Sequence, residues 1–269
     1  MPRRAISVFA SVVLALCCAL PAFAQDAKPV YWRVELWDVK REIWPAFVKY
    51  FEKNDQPVYE KLFRDGVITE WGIESASLHN PSQYTHATWH GVSSMEAFEK
   101  VNDAFEAVDK AIGEQESARL QREFAGMLVK HRDYLLRAED MKAKASRLDK
   151  AYYSDWSVAI KRGEGQAFTG WWKENVQPVY QKLMDEGVIL AYGRSREEIS
   201  TEPENRQTSW YVTADLAGVD KVNAAFDAMR DALSEEKRRE RRTSIWDITE
   251  PDSFREYTSQ YRHWAIKGQ

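Results

Sequence analysis

The chain has 269 residues, a formal net charge of −4 at pH 7, 30% charged residues and 13% aromatic residues. Mild acidity argues against general nucleic-acid binding, and the aromatic rings supply enough buried area for a packed globular core. The only cysteines, Cys17 and Cys18, lie in the first apolar run; its removal would exclude thiolate catalysis, iron–sulfur clusters and cysteine-ligated zinc.

That run comes first in chain order. Arg3 and Arg4 precede an apolar stretch from Ala5 to Leu20, which is followed by Ala22-Phe23-Ala24. A short basic region, a hydrophobic segment and an A-x-A site describe a secretory signal peptide over residues 1–24. The run is too short and wrongly flanked for a comfortable membrane span. We expect cleavage after Ala24, leaving a periplasmic or secreted chain that starts at Gln25, carries no membrane span and has a formal charge of −6. Leu14-Ala15-Leu16-Cys17 offers a weak lipobox alternative, in which Leu16 is larger than the usual small residue.

Residues 31–40 are rich in aromatic and β-branched residues and read as a strand. A helical pattern follows, with Phe47, Phe51, Val58 and Leu62 on one stripe and Gly66 at the place of a C-terminal glycine. Pro57 cannot donate to the carbonyl of Lys53, so this helix should kink. Strands are expected at about 67–75 and 85–92, joined by a loop containing Asn80-Pro81-Ser82. A second helix carries Phe98, Val101, Phe105, Val108 and Ile112, and a closing strand fits residues 131–136.

The order then repeats. Gln56-Pro57-Val58-Tyr59 recurs 121 residues later as Gln177-Pro178-Val179-Tyr180. The same spacing carries Gly66-Val67-Ile68 to Gly187-Val188-Ile189, Gly72 to Gly193, Trp89 to Trp210 and Lys100-Val101-Asn102 to Lys221-Val222-Asn223. One gapless spacing over roughly eighty residues marks an internal duplication. The second copy has a strand at 152–161, a stripe of Phe168, Trp172, Val179 and Leu183, strands at 188–196 and 206–213, and a helix with Val219, Val222, Phe226, Met229 and Leu233. Its closing strand, 261–266, comes after about nine inserted residues. Residues 25–147 and 148–269 thus read as two tandem ferredoxin-like β-α-β-β-α-β units, an α+β fold.

Strand, long helix, Gly-Val-Ile strand, strand and helix, duplicated in tandem, resemble the dimeric α/β-barrel superfamily. It includes antibiotic-biosynthesis monooxygenases, EthD-like and NIPSNAP-like proteins and chlorite-dismutase-like haem proteins. The resemblance is architectural, covers nearly all of the mature chain and selects no branch. It implies two units paired through their sheets, here an intramolecular pseudo-dimer. It also admits cofactor-independent oxygenase-like or isomerase-like activity, and haem as a cofactor. Function must still come from the site, since one fold hosts many activities.

Four asparagines are candidate ligand-binding residues. Asn54 and Asn175 lie in register with the apolar stripes of the first helices, where a buried amide needs partners. They either repair the proline kink or face a pocket between helix and sheet; kink repair is the simpler account. Asn102 and Asn223 flank the second helices' stripes and either line the same space or lie on the helix surface.

A hairpin centred near Asn80 places Glu74 opposite His86, Gly72 opposite Thr88 and Glu70 opposite His90, all on one face. Trp71, Ile73, Ala87 and Trp89 then occupy the other. A Glu–His pair could serve acid–base chemistry or hold a metal, although a solvated hairpin face explains the pattern too. The second copy has Ala191, Gly193, Ser195, Gln207, Ser209 and Tyr211 at these places. His79, His131 and His263 show no ligand spacing, so no haem ligand is selected and no metal site is expected. Lys237–Arg242 reads as a solvated helix face balanced by Glu235, Glu236 and Glu240. The leading function is binding of a small, partly apolar molecule between helix and sheet. Haem binding and a non-enzymatic envelope scaffold are the rivals.

Overall fold

The computed structural model describes residues 29–77, 84–199 and 205–268. The proposed signal peptide, both cysteines, His79 and the Asn80-Pro81-Ser82 loop lie outside the described residues. In chain order the first half forms β1 (Tyr31–Val39), α1 (Trp44–Asn54), α2 (Gln56–Arg64), β2 (Glu70–Ala76), β3 (His86–Val92), α3 (Ala97–Ile112), α4 (Glu114–Met127) and β4 (Leu128–Ala143). A short strand, β5 (Ser146–Leu148), leads into the second half. This forms β6 (Ala151–Ala159), α5 (Gly165–Asn175), α6 (Gln177–Asp185), β7 (Ile189–Glu197), β8 (Arg206–Thr213), α7 (Leu216–Asp231), α8 (Glu235–Ile248) and β9 (Arg255–Ile266).

Each expected long first helix is two helices meeting at a corner. Asp55 sits between α1 and α2, its N–H donating to Phe51 and its carbonyl accepting from Tyr59. Val176 does the same between α5 and α6, with Trp172 and Tyr180. Pro57 and Pro178 fall in the first turn after each corner, where the missing N–H costs no intrahelical bond. Gly66 and Gly187, at φ +79° and +77°, end the pair as the sequence implies. The helix after each hairpin is also followed by another. Gly113, at φ +84°, separates α3 from α4, and Ser234 caps α8 by accepting from the Lys237 N–H. The sequence reading did not foresee α4, a strongly polar helix with Ser117 and Met127 as its buried residues.

The strands form one antiparallel sheet in the order β2-β3-β1-β4-β7-β8-β6-β9, and β9 returns to pair with β2, closing a barrel. β5 extends the β6 side of β9. Each half supplies four neighbouring strands, joined to the other half at β4–β7 and β9–β2. The two units are thus joined through the edges of their sheets rather than the faces, and closure removes every free strand edge that face-to-face packing would leave.

Closure gives most strands an inward face and a helix-covered face, whereas β4 stays largely exposed or half-buried. Trp32, Trp89, Trp210, Tyr261 and Trp264 point inward and form one cluster. Trp37, Phe47, Phe51, Tyr59, Leu62 and Trp71 fill the layer between the first half's strands and its helices. Trp172, Tyr180, Leu183, Tyr192 and Tyr211 do so in the second. Gly72 and Gly193 permit the inward tryptophans: a Cβ on Gly72 would lie 2.4 Å from the Trp89 ring, and one on Gly193 2.9 Å from Trp210.

Candidate functional site

The helix-facing side of the first half carries an unusual set of polar residues. Alternation on β1 turns Trp32, Val34 and Leu36 inward and Arg33, Glu35 and Trp37 toward the helices. Across the strand pair, Arg33 lies opposite His90, Glu35 opposite Thr88 and Trp37 opposite His86. All of these except His86 border a cavity of about 500 Å³ that Asp55, Asn102, Phe105 and Phe124 also line. The helix corner puts Asp55 there.

Glu35 accepts from the Thr88 hydroxyl at 3.1 Å, and Thr88 in turn accepts from the Trp37 indole at 2.9 Å. Arg33 Nε lies 3.2 Å from Glu35, and Arg33 Nη2 lies 3.3 Å from Asp133. Burial raises the Glu35 pKa despite Arg33. Burial, reinforced by Glu35, pushes Asp55 up to about 7. Burial, reinforced by Arg33, depresses His90 to about 3. His90 is 3% exposed, and both its ring nitrogens lack a hydrogen-bond partner among the described residues. It is held at ring-centroid distances of 5.5 Å by both Tyr59 and Phe98. The cavity thus offers a neutral imidazole, a carboxyl near its half-ionised point and a guanidinium, set in aromatic walls.

The second half has a cavity of about 900 Å³ at the corresponding place, with a different lining. Ser154, Trp156, Val158, Val176 and Tyr211 stand where the first half has Arg33, Glu35, Trp37, Asp55 and His90. Its most prominent cation is Arg241 on α8, which donates to the Asn175 carbonyl at 3.0 Å and lies over the Trp171 ring.

The expected hairpin register is corrected. Glu74 pairs with Ala87, Trp71 with His90 and Ser75 with His86, one residue away from the expected alignment. A one-residue slip exchanges the faces of a strand. Glu70 and Glu74 therefore line the barrel interior, while His86 and His90 face the helices, and the proposed Glu–His pairs do not meet. His86 instead bonds the Thr85 hydroxyl at 3.0 Å, packs against Phe47 and is depressed by burial to about 4.

The asparagines divide. Asn54 donates to the Tyr50 carbonyl at 3.0 Å and Asn175 to that of Trp171 at 2.8 Å; neither borders a described cavity. Asn102 lines the first cavity and Asn223 the second. His131 stacks on Trp37, and His263 lies between Glu52 and Asp149. No group of three metal-ligating residues occurs among the described residues.

Sequence reasoning missed Arg33, Glu35 and Asp55. The signal was present in the duplication: each is replaced by serine, tryptophan or valine 121 residues later. An ionisable residue exchanged for an uncharged one at an equivalent core-facing position marks a local departure from packing needs.

The sequence matches no protein-family model and no curated protein. The structure is similar to two putative monooxygenases. One, from Lactobacillus acidophilus, has a TM-score of 0.60 at 12% identity, over 90% of this chain and 98% of its own. The other, from Fusobacterium nucleatum, has a TM-score of 0.62 at 11% identity, over 90% of this chain and 96% of its own. The chain shares its overall fold with these two structures; at such identities the likeness establishes fold alone.

Proposed function

We propose that the helix–sheet cavity of the first half binds a small, partly apolar molecule with an acidic C–H or O–H and transfers its proton. Asp55 is the general base, poised near neutral pH by burial. Neutral His90 donates to the oxygen on which negative charge develops, and Arg33 supports that charge. Return of the proton at another atom is isomerase-like. Capture of the carbanion of a CH2 group by dioxygen, with Asp55 returning the proton to the peroxide formed and the hydroperoxide then losing water to leave a carbonyl, is oxygenase-like. The monooxygenase names of the two similar structures agree with the second outcome. The observation that carries the reading is asymmetry: His90, with two unpaired ring nitrogens, and Asp55 border the first cavity where Tyr211 and Val176 border the second.

Haem fits this cavity poorly. His90 would be the residue to hold the iron, but Glu35, Asp55, Glu106 and Asp109 face the space with Arg33 as the single arginine or lysine lining it, a poor environment for haem carboxylates. The scaffold reading gains from the internally satisfied Asn54 and Asn175, and loses to the unpaired nitrogens of His90. The proposal includes export with cleavage after Ala24, and an intramolecular pseudo-dimer of units 25–147 and 148–269. Intact mass of the exported chain tests the first: retention of residues 1–24 or a lipid on Cys17 defeats it.

The catalytic test is deuterium exchange into a panel of 1,3-dicarbonyl probes in D2O, followed by NMR. Wild-type protein should accelerate exchange, Asp55→Asn should abolish the acceleration, and His90→Phe should lower it by about tenfold or more. Exchange that survives Asp55→Asn unchanged removes Asp55 from the chemistry. A stoichiometric Soret band after reconstitution would favour haem instead.

A further inference from the structure

We infer that the barrel interior is a second binding site, and that its ligand is an organic cation: a protonated primary or secondary amine on an apolar or aromatic body. The space measures about 410 Å³, within the range of small-molecule sites. It lies on the opposite face of the strands from the helix–sheet cavity, so the two sites share strands without sharing a lining face.

The observation that points to a ligand is Glu70. It lines the interior, is 4% exposed, and makes no hydrogen bond or ion pair among the described residues. A buried carboxyl without a donor is costly unless something supplies one. Glu74 and Asp155 add two more carboxyls to the same lining. Glu74 accepts from Ser259 at 2.6 Å and from Tyr257, and Asp155 accepts from Tyr153. Between them stand ring faces, with Trp89 and Tyr261 at 4.6 Å between centroids and Trp264 5.5 Å from Tyr261.

The resident arginines do not answer Glu70. Arg196 is held by Glu139 at 2.9 Å and Glu198 at 3.5 Å. Arg206 donates to the Ser253 carbonyl and influences Asp155. Both are half-buried, as are Glu197 and Tyr257 beside them, and mark the solvent-reaching end of the space. Glu70, Trp264 and Ile266 mark its floor. No three of the described carboxyl and imidazole groups come together closely enough to hold one metal ion. Separate carboxyls among aromatic faces suit an extended cation. Its N–H groups satisfy Glu70, and its body lies on the rings.

Protonation supplies a second signature. Burial pushes Glu70 and Glu74 up to about 8 and Asp155 to about 7, so at neutral pH much of this set carries its protons. A bound ammonium favours the carboxylates. Binding therefore releases protons, and affinity rises as pH climbs through 8, where the carboxyls ionise while the amine stays charged.

The experiment titrates the unmodified chain with 2-phenylethylamine and with its neutral counterpart 2-phenylethanol, by calorimetry in two buffers of different ionisation enthalpy. The amine should bind at least about tenfold more tightly than the alcohol, with net proton release. Glu70→Gln should weaken the amine by about ten- to a hundredfold and leave the alcohol unchanged. Equal affinity for the two probes, absence of proton release, or no binding of either at millimolar concentration overturns the assignment. So does loss of amine binding in Asp55→Asn with Glu70→Gln unaffected, which would move the amine to the helix–sheet cavity. If Glu70→Gln does not fold, proton release together with amine binding that survives Asp55→Asn decides the matter.

Discussion

The two halves build the same framework and finish its helix-facing layer in opposite ways. Where the first half has Ile73, the second has Arg194, which is 2% exposed. That guanidinium donates to Asp140 at 2.9 Å and Gln207 at 3.0 Å, pairs with Glu139 at 2.7 Å and lies over Trp172. A bulge in β4 delivers Asp140, at φ +52°, to this network. The first half has Arg33 paired with Glu35, on side chains 41% and 19% exposed. It has His90 with two unpaired nitrogens and Asp55 with a raised pKa. Charges completed by partners hold a structure together, whereas groups left incomplete are available to a ligand.

The largest effect should come from removing the second half's completed charge. Arg194→Met is expected to destabilise the chain by about 3 kcal/mol, toward the lower end for breaking a buried pair because Asp140 and Glu139 retain some solvent contact. Denaturant melts measure it. A loss below about 1 kcal/mol would mean the network contributes little, and the contrast between halves would weaken.

Next come the glycines beneath the inward tryptophans. Gly72→Ala should cost about 1–3 kcal/mol by overpacking, and Gly193→Ala less, because the approach to Trp89 is closer than that to Trp210 and the His263 carbonyl stands 3.0 Å away. Thermal melts of the two single variants rank them. The reverse ranking would show that the first half's strands yield more readily.

Asp55→Val, which gives the first half the second half's Val176, should stabilise the fold by about 1–2 kcal/mol while abolishing probe exchange. The gain should depend on pH with a defined sign. Asp55 in the folded chain titrates near 7, against an ordinary value of 3.8. Folded protein thus holds the proton that unfolded protein releases, and wild-type stability falls as pH rises through that window. The variant lacks this contribution, so its advantage over wild type should widen from pH 5 to pH 8. An advantage that is constant with pH would show that Asp55 is not desolvated.

The smallest effect tests where the halves agree. Asn54→Ala and Asn175→Ala should each cost about 1 kcal/mol, the net value of one half-buried hydrogen bond to the preceding turn. Neither should alter probe exchange or amine binding. A selective loss of exchange in Asn54→Ala would return that amide to the site.

Much of the framework was legible beforehand. The spacing of 121 residues, the stripes of Phe47, Phe51, Val58 and Leu62 and of their counterparts, and the helix-ending Gly66 and Gly187 are local patterns with local causes. Periodicity reports which side of an element is buried, and a left-handed glycine reports where a helix stops. The break before Pro57 was legible for the same reason, because a missing N–H is a property of one residue.

The site depended on relations between distant segments. Whether Glu74 faces Ala87 or His86 is decided by hairpin register, and one residue of slip puts the carboxyls of β2 and the imidazoles of β3 on opposite faces. The edge pairings of β4 with β7 and β9 with β2 are equally invisible along the chain, yet they enclose Glu70, Glu74 and Asp155 in one interior. The sequence by itself determined two copies of strand, kinked helix, hairpin, helix and strand, because those patterns are short-range. The tertiary structure alone decided that the copies close one barrel, that Asp55 and His90 share a cavity, and that three carboxyls line the interior. Burial and register are properties of neighbours brought together by folding, and those neighbours are far apart in the chain.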